Sequence, residues 1–262
     1  MLTLADIRQH PEVRHYLDRA DGVLKSIGYT EHGRRHAGVA AKRAKAVLEA
    51  LERPPRKCEL AAIAAYLHDI GNIVNRDHHA QSGAVLAHGL LREAGMSIEE
   101  TIEVVTAIGH HHETDGAPVS DIAAAVILAD KSDVDRSRVR DKAMIQLDIH
   151  DRVNYAVTHS ALEVVGPHAA KKMEGERESP RSSNGEGGNS GGDVASVTIS
   201  DFGEGETHET KSVVTLALRI DISISPVMEY FEIFLPRMIL SNRAADRLGA
   251  TYKLVINETP LL

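Results

Sequence analysis

The octapeptide AYLHDIGN, residues 65–72, ends a run of small apolar side chains with an adjacent histidine and aspartate and a nearby glycine. The apolar residues before it recur at the spacing of a helix that faces a core. His68 and Asp69 are therefore either an ordinary polar helix end or two metal ligands, since imidazole and carboxylate groups both bind divalent ions. The partners that the rest of the chain supplies decide between these two interpretations.

Further histidines and aspartates stand at the ends of other predicted helices. A helix from about residue 31 would project His32 and His36 from one face, because they are four residues apart. One later helix starts at His79, another ends at three consecutive histidines, and a third ends near Asp130. Seven of the 15 histidines lie between positions 68 and 112. These groups suffice for two divalent ions ~3.5–4 Å apart, an arrangement that stabilises the attacking and leaving oxygens in phosphoester hydrolysis.

The predicted fold is mainly α, a helical bundle followed by a small C-terminal β-α-β element. Residues 1–168 have the apolar spacing of successive helices. Residues 169–211 are rich in Gly, Ser and Glu, and they contain too few apolar side chains to offset their chain entropy, which predicts a flexible insertion. Residues 212–262 contain a strand that alternates from Val214 to Ile222, then a helix and a final strand. Ala161 to Val165 is a candidate third strand, and we expect this element to pack on the bundle.

Composition limits the class of protein. The net charge of −8 argues against a large nucleic-acid surface. No stretch approaches the ~20 apolar residues that span a bilayer, and the N-terminal residues lack the apolar core of a signal peptide. The single cysteine, Cys58, excludes an intramolecular disulfide and fits a reducing compartment. We therefore expect a soluble, cytoplasmic protein without a membrane partner.

The order of the candidate ligands resembles that of a known superfamily. The succession His36, His68–Asp69, His79, His111–His112 and Asp130 is similar to that of the HD superfamily of metal-dependent phosphohydrolases. The segments HDIGN, HHAQSG and HHHETDG most resemble the branch that includes the HD-GYP cyclic-di-GMP phosphodiesterases. The resemblance covers about residues 30–140, and the C-terminal element lies outside it.

The resemblance implies a role for each matched residue. A metal-bound hydroxide would be the nucleophile, and His68, Asp69 and Lys131 would take part in catalysis. Asp69 would bridge two ions, and His32 stands where members with three ions carry an additional ligand. The ions would be Fe, Mn, Mg, Zn or Ni, two or three per chain. The implied ligands are His36, His68, Asp69 and Asp130 for the core, His79, His111 and His112 for a second ion, and His32 for a third.

Two departures from the branch bear on the substrate. Asn72 replaces the lysine that usually follows HDIG, so a cation that would hold substrate phosphate is missing. Ala117 and Pro118 stand where the GYP element would begin, which argues against cyclic-di-GMP as the substrate. Other side chains are then expected to contact the substrate, namely Arg35, Asn72, Arg76, Lys131 and Arg136.

The remaining polar residues have simpler interpretations. A lysine at a helix end is often solvated, so Lys131 has two readings, as a substrate contact or as a surface charge. Asp133 and Asp135 are expected to be charges on a helix surface. His78 and His110 adjoin better-placed histidines, so they are either ordinary structural residues or, less favoured, ligands or groups that hold ligands in place. The other histidines are expected to be caps or surface residues, namely His10, His15, His88, His150, His159, His168 and His208.

Three functions are compatible with these residues. The first is a phosphohydrolase that hydrolyses a nucleotide-like phosphomonoester or phosphodiester. The second is a di-iron oxygenase, because some HD proteins resembling myo-inositol oxygenase use the same fold to cleave carbon bonds with O₂. The third is a non-catalytic, nucleotide-binding regulatory protein, for which the missing HDIG lysine is the only sign. A homodimer through an apolar face of the C-terminal element is a further expectation.

Overall fold

The computed structural model describes residues 1–166 and 211–261. The predicted insertion therefore falls outside the described residues except for Lys211, as do His168 and His208. In the described part the helices are α1 (Leu4–Gln9), α2 (Pro11–Ser26), α3 (Arg34–Ala50), α4 (Pro55–Leu67), α5 (His79–Glu93), α6 (Ile98–Gly109), α7 (Asp121–Ser132), α8 (Ile149–Ala156) and α9 (Val227–Arg247). Short 3₁₀ turns follow at Ile70–Ile73, Arg136–Arg138 and Lys142–Gln146.

Helix ends follow the local sequence signals. The Ser97 hydroxyl accepts the Glu100 N–H at the start of α6, and Ser120 caps α7 in the same way through Ala123 N–H. The Glu100 carboxylate forms a bidentate ion pair with Arg56, in which Nε and Nη2 lie 2.7 and 2.5 Å from its two oxygens, and this pair joins α6 to α4. These ends fix where the histidines that follow the helices are placed.

Alanines allow three helices of the bundle to approach closely. Helices α3, α4 and α7 pack against one another, and every residue of α7 from Ile122 to Ser132 is buried. Ridges of small side chains permit short distances between helix axes. The buried alanines of this seam are Ala37, Ala40, Ala41, Ala44, Ala61, Ala62, Ala64, Ala65, Ala123, Ala124, Ala125 and Ala129.

A four-stranded sheet completes the described fold, which is mainly α as predicted. Its strands are β1 (Val157–Val165), β2 (Ser212–Ile220), β3 (Ala250–Ile256) and β4 (Thr259–Pro260). Strands β2 and β3 pair in parallel and α9 connects them along the chain, which confirms the predicted β-α-β. The predicted third strand is also confirmed, since β1 pairs antiparallel with β2. The prediction for Ile222 was wrong, because β2 ends at Ile220 and Ile222 is exposed.

Helix α9 joins the C-terminal element to the bundle. It packs on α7, α8 and β3, and its buried Tyr230, Phe234 and Met238 belong to the same core as the bundle. Leu235 and Ile239 on its outer side are exposed, and the homodimer stays a prediction. None of the helices in the described ranges has the length and apolar character to cross a membrane.

Candidate metal centre

One group of ligand atoms lies where α3, α4 and α7 meet. His36 on α3 and His68 at the end of α4 face each other, with 3.2 Å between their Nε2 atoms. Asp130 Oδ1, from the last turn of α7, lies 3.3 Å from His36 Nε2 and 3.6 Å from His68 Nε2. All three side chains are buried. Three potential ligand atoms therefore converge on one point.

A second group lies where α5 and α6 meet. His79 opens α5 and His111 follows α6, and their Nε2 atoms are 3.1 Å apart. Asp69 faces both groups: Oδ1 lies 3.4 Å from His79 Nε2 and 3.9 Å from His111 Nε2. Its Oδ2 lies 3.3 Å from His68 Nε2 and 3.7 Å from His36 Nε2. Asp69 thus has the geometry of a carboxylate that bridges two ions.

The Nε2 atoms of His36, His68, His79 and His111 face the centre, and in these rings and in His32 the Nδ1 atom has its own partner. In each ring Nδ1 lies 2.7–2.8 Å from an oxygen that can only accept, so Nδ1 carries the proton and Nε2 is free to bind a cation. The acceptors are the Thr30 carbonyl for His32, the Asp133 carboxylate for His36, and the carbonyls of Ala65, Arg76 and Ile108 for His68, His79 and His111.

The electrostatics of the centre also fit divalent ions. Burial lowers the pKa of His79 to about 4 and that of His111 well below its usual range, which keeps both rings neutral. Burial also opposes a charge on His68, yet the carboxylates of Asp69 and Asp130 raise its pKa to about 10, so this ring would bind an ion by releasing its Nε2 proton. Asp69 Oδ2 is buried and receives no hydrogen bond from the described residues. Facing lone pairs and an unsatisfied buried oxygen are stabilised by a cation between them.

Gly71 explains the glycine of HDIGN. A Cβ at this position would collide with the His79 carbonyl oxygen and the Gly83 amide nitrogen. The 3₁₀ turn Ile70–Ile73 therefore packs directly on the first turns of α5. This backbone contact places His79 beside Asp69.

His32 and His112 border the centre. The prediction that His32 lies on the same helix as His36 was wrong, because Gly33 caps α3 and the helix begins at Arg34. The His32 ring is nevertheless buried, 5.5 Å from the ring of His36. The His112 ring lies 4.8 Å from that of His79, but its side chain is 23 % exposed and Nε2 faces Glu113 at 3.9 Å.

Lys131 is buried, so it is not a solvated helix-end charge. Its Nζ lies 2.8 Å from Asp130 Oδ2 and 2.5 Å from Glu113 Oε2. Glu113 Oε1 in turn accepts a hydrogen bond of 3.4 Å from Arg237 Nε on α9. The candidate ligand Asp130 is thereby linked to the C-terminal element through a chain of alternating charges. Sequence reasoning missed Glu113 and Arg237, because their pairing joins residues 124 positions apart.

Asp133 is not a surface charge, and that prediction was wrong. The chain leaves α7 after Ser132 and turns inward, so the Asp133 side chain is only 2 % exposed. Its Oδ2 accepts hydrogen bonds from His36 Nδ1 at 2.7 Å and from Arg35 at 2.9 Å. Burial favours the neutral acid, but the His36 hydrogen bond and the nearby arginines hold the pKa of Asp133 well below its usual range. Asp133 therefore orients a candidate ligand.

The residues predicted to contact substrate lie in different surroundings. Asn72 is fully buried and donates to Asp69 Oδ1 at 3.0 Å, so it holds the bridging carboxylate. Arg35 is engaged by Glu31 and Asp133. Arg136 is exposed, with its guanidinium 5.3 Å from the Tyr155 ring. The structure brings Arg76 to the centre, since its Nη1 lies 3.5 Å from His79 Nε2.

Part of the chain matches a known family model. Residues 27–135 match the family model of the HD domain. A protein of Methanocaldococcus jannaschii described as "Uncharacterized protein MJ1020" is 32 % identical over 136 residues, which are 44 % of this chain and 52 % of the relative. The chain thus spans about half the length of that curated relative.

Among solved structures, a predicted HD superfamily hydrolase from an uncultured Thermotogales bacterium is 25 % identical. That comparison covers 56 % of this chain and 80 % of the other, with a TM-score of 0.38. The family model describes HD domains in general, and the match does not assign the chain to the HD-GYP branch.

Proposed function

We propose that residues 27–135, an HD domain with two candidate clusters of metal ligands, form a phosphohydrolase that holds two divalent ions and acts on a small phosphorylated molecule. HD domains are generally metal-dependent hydrolases, and the clusters fit divalent cations. The observation that carries the proposal is the position of Asp69, whose two oxygens face two separate histidine pairs. Bound ions of this kind lower the pKa of water and polarise phosphoryl oxygens.

The protein's own residues would prepare the site in three ways. The backbone and Asp133 acceptors fix every Nε2 lone pair before an ion arrives, which removes the cost of ordering the rings. Asn72 holds the bridging Asp69. Lys131 offsets the charge of Asp130 and keeps that carboxylate ionised, because its ammonium opposes the effect of burial on the Asp130 pKa.

Arg76 is the residue best placed to bind the substrate's phosphate. Within the described ranges no carboxylate lies at ion-pair distance from its guanidinium, which contacts Asn72 Oδ1 at 3.4 Å. Phosphate oxygens are strong partners for an arginine whose donors are free. Arg76 would take the place of the lysine that Asn72 replaces, and the substrate would be a nucleotide-like phosphomonoester or phosphodiester.

Metal content and hydrolysis test the proposal together. Anaerobically purified protein should contain at least two transition-metal ions per chain, falling by about one in His111→Ala. His88→Ala is the matched control, because His88 is an exposed histidine on α5. Reconstituted wild type should hydrolyse p-nitrophenyl phosphate or bis-p-nitrophenyl phosphate, and Asp69→Ala should not.

Other results would contradict the proposal. One ion or none, with no loss in His111→Ala, would show that His111 is not a ligand. Oxygen consumption with an iron pair and no phosphoester hydrolysis would instead establish an oxygenase. Tight nucleotide binding without turnover under several metals would indicate a regulatory protein.

A further inference from the structure

A cavity of about 370 Å³ opens beside the metal centre. His32 and Arg76 line it on the side of the centre, while α8 and α9 supply another part of its wall. Both of these helices lie outside the matched HD domain, residues 27–135. The volume is that of a site for a small molecule. The cavity is therefore built jointly by the HD domain and by the chain that follows it.

Asp151 on α8 contributes a carboxylate to this wall without a partner. The residue is only 8 % exposed, and its side chain forms no hydrogen bond or ion pair with any described residue. It is not required as a helix cap, since Asp148 Oδ1 already accepts the N–H groups of His150 and Asp151, at 2.7 and 3.1 Å. Neither carboxylate oxygen is fully enclosed by protein, so the group faces the cavity, and a molecule that displaces water from the cavity leaves it without a donor unless that molecule supplies one.

Asn154 makes the same wall an acceptor surface. It lies one turn beyond Asp151 on α8 and also lines the cavity. Its Nδ2 donates one of its two N–H groups to the His150 carbonyl at 2.8 Å, which orients the amide, and Oδ1 accepts no hydrogen bond from a described residue. Asp151 and Asn154 thus offer acceptors to the cavity, and no competing donor of α8 satisfies them.

Positively charged side chains line the cavity on the side nearest the metal centre. They are Arg76 and Arg237, and Arg237 also forms an ion pair with Glu113. The Arg237 guanidinium lies 4.6 Å from the centroid of the Phe234 ring, which adds an apolar surface to the wall. A molecule that fills the cavity therefore meets cations near the metal centre and acceptors on α8.

We propose that this cavity binds the non-reacting part of the substrate and that Asp151, together with Asn154, selects a part bearing an amino group or another N–H donor. The inference rests on the proposed phosphohydrolase function and narrows its substrate to phosphoesters of this class. Once the substrate has displaced water from the cavity, a donor on it pairs with the Asp151 carboxylate, whereas an analogue without that donor leaves the carboxylate unpaired. The preference expected from one such charge-assisted hydrogen bond is about ten-fold or more.

Matched pairs of phosphoesters that differ by one amino group test this selection. Suitable pairs are 2-aminoethyl phosphate with ethyl phosphate, guanosine monophosphate with inosine monophosphate, and adenosine monophosphate with purine riboside monophosphate. The full-length, metal-loaded protein should prefer the amino member of at least one pair by about ten-fold in kcat/KM. Asp151→Ala should bring that preference to within about two-fold of unity.

Asp141→Ala is the matched control. Asp141 is an exposed carboxylate ten residues earlier that does not line the cavity, so this variant should retain the wild-type preference. Asp151→Ala removes no hydrogen bond between described residues, and its melting temperature should stay within about 3 °C of wild type. A fall of about 10 °C would show that Asp151 is structural and would overturn the proposal.

The selection can be tested separately from hydrolysis. If p-nitrophenyl phosphate is hydrolysed but no pair is discriminated, or if Asp151→Ala discriminates as well as wild type, the selection by Asp151 is refuted while the phosphohydrolase stands. If no phosphoester is hydrolysed, the dissociation constants of the same pairs, from calorimetry, replace kcat/KM. A preference lost in Asp151→Ala then supports the role of Asp151, and equal binding rejects it.

Discussion

Asp133→Asn is the substitution that most directly tests how the metal centre is organised. The Asp133 carboxylate accepts the Nδ1 proton of His36 at 2.7 Å, deep in the protein. Asparagine keeps the size of the side chain but offers a neutral oxygen in place of a charged one. The His36 ring keeps its position, while its Nε2 lone pair becomes a weaker ligand.

The size of the effect follows from this one hydrogen bond. Hydrogen bonds to charged groups contribute about 1.5–3 kcal/mol and neutral ones about 0.5–1.5 kcal/mol, so the change costs about 1–2 kcal/mol. That difference corresponds to about a 5- to 30-fold loss of metal affinity. Folding should be destabilised by about 2 kcal/mol, because Arg35 loses one of its two charged partners and keeps only Glu31, while Arg138 keeps the carbonyls of Glu31 and Asp133.

Competition against a chelator measures this loss, with the ions counted per folded chain. Asp135→Asn is the matched control, since Asp135 lies two residues later and caps the Arg136–Arg138 turn, a task that asparagine performs as well. Its metal affinity should equal that of wild type. Wild-type affinity in Asp133→Asn would refute the reasoning, and so would a loss that disappears after correction for the unfolded fraction.

Three further predictions concern stability. Removing two ions with a chelator should lower the melting temperature by about 10–20 °C if each was present at about one hundred times its Kd, as a calorimetric scan would show; an unchanged temperature would argue against bound ions. In urea titrations Gly71→Ala should cost more than about 4 kcal/mol, because its Cβ meets backbone atoms, whereas Gly89→Ala, with open space around it in α5, should gain about 0.5–1 kcal/mol; equal effects would contradict the close packing. Glu59 accepts hydrogen bonds from the Leu4 N–H at 2.6 Å and from Lys45 Nζ at 3.0 Å, and these contacts lower the pKa of Glu59 although burial opposes the shift. They therefore stabilise the fold above the unfolded pKa of about 4.3, and this stabilisation is lost as the pH falls below that value. The difference in urea midpoint between wild type and Glu59→Gln should therefore be constant above about pH 5 and shrink in more acidic solution, and a difference that grows there would have the wrong sign.

The part of the centre that could be predicted from the sequence consists of helix ends. His68, His111 and Asp130 each lie at or next to a point where an apolar pattern stops, so their side chains could be grouped before any distance was known. The strands could be predicted for a related reason, since alternation is a local property of β2. Each of these inferences needs only neighbouring residues.

The groups that hold the candidate ligands could not be predicted in this way. Asp133 has the sequence surroundings of a surface residue, and only the inward turn after α7 brings it to His36. The pairing of Glu113 with Arg237 depends on how α9 crosses the bundle. His32 shows the opposite error, because four-residue spacing suggested a shared helix that Gly33 interrupts. Tertiary packing decided the first two, and the local cap at Gly33 decided the third.

The alanine seam of α3, α4 and α7 has a consequence for how such sites change over evolutionary time. His36, His68 and Asp130 are mounted on three separate helices, so the 3.2–3.6 Å gaps between their ligand atoms depend on how near those helices approach. A larger side chain in place of Ala40, for example, would push two helices apart and widen the gaps without altering any ligand. The distances between the ligand atoms thus depend on the small size of the alanine side chains. A chain can therefore retain every histidine and aspartate of the site and still lose the spacing that lets them share an ion.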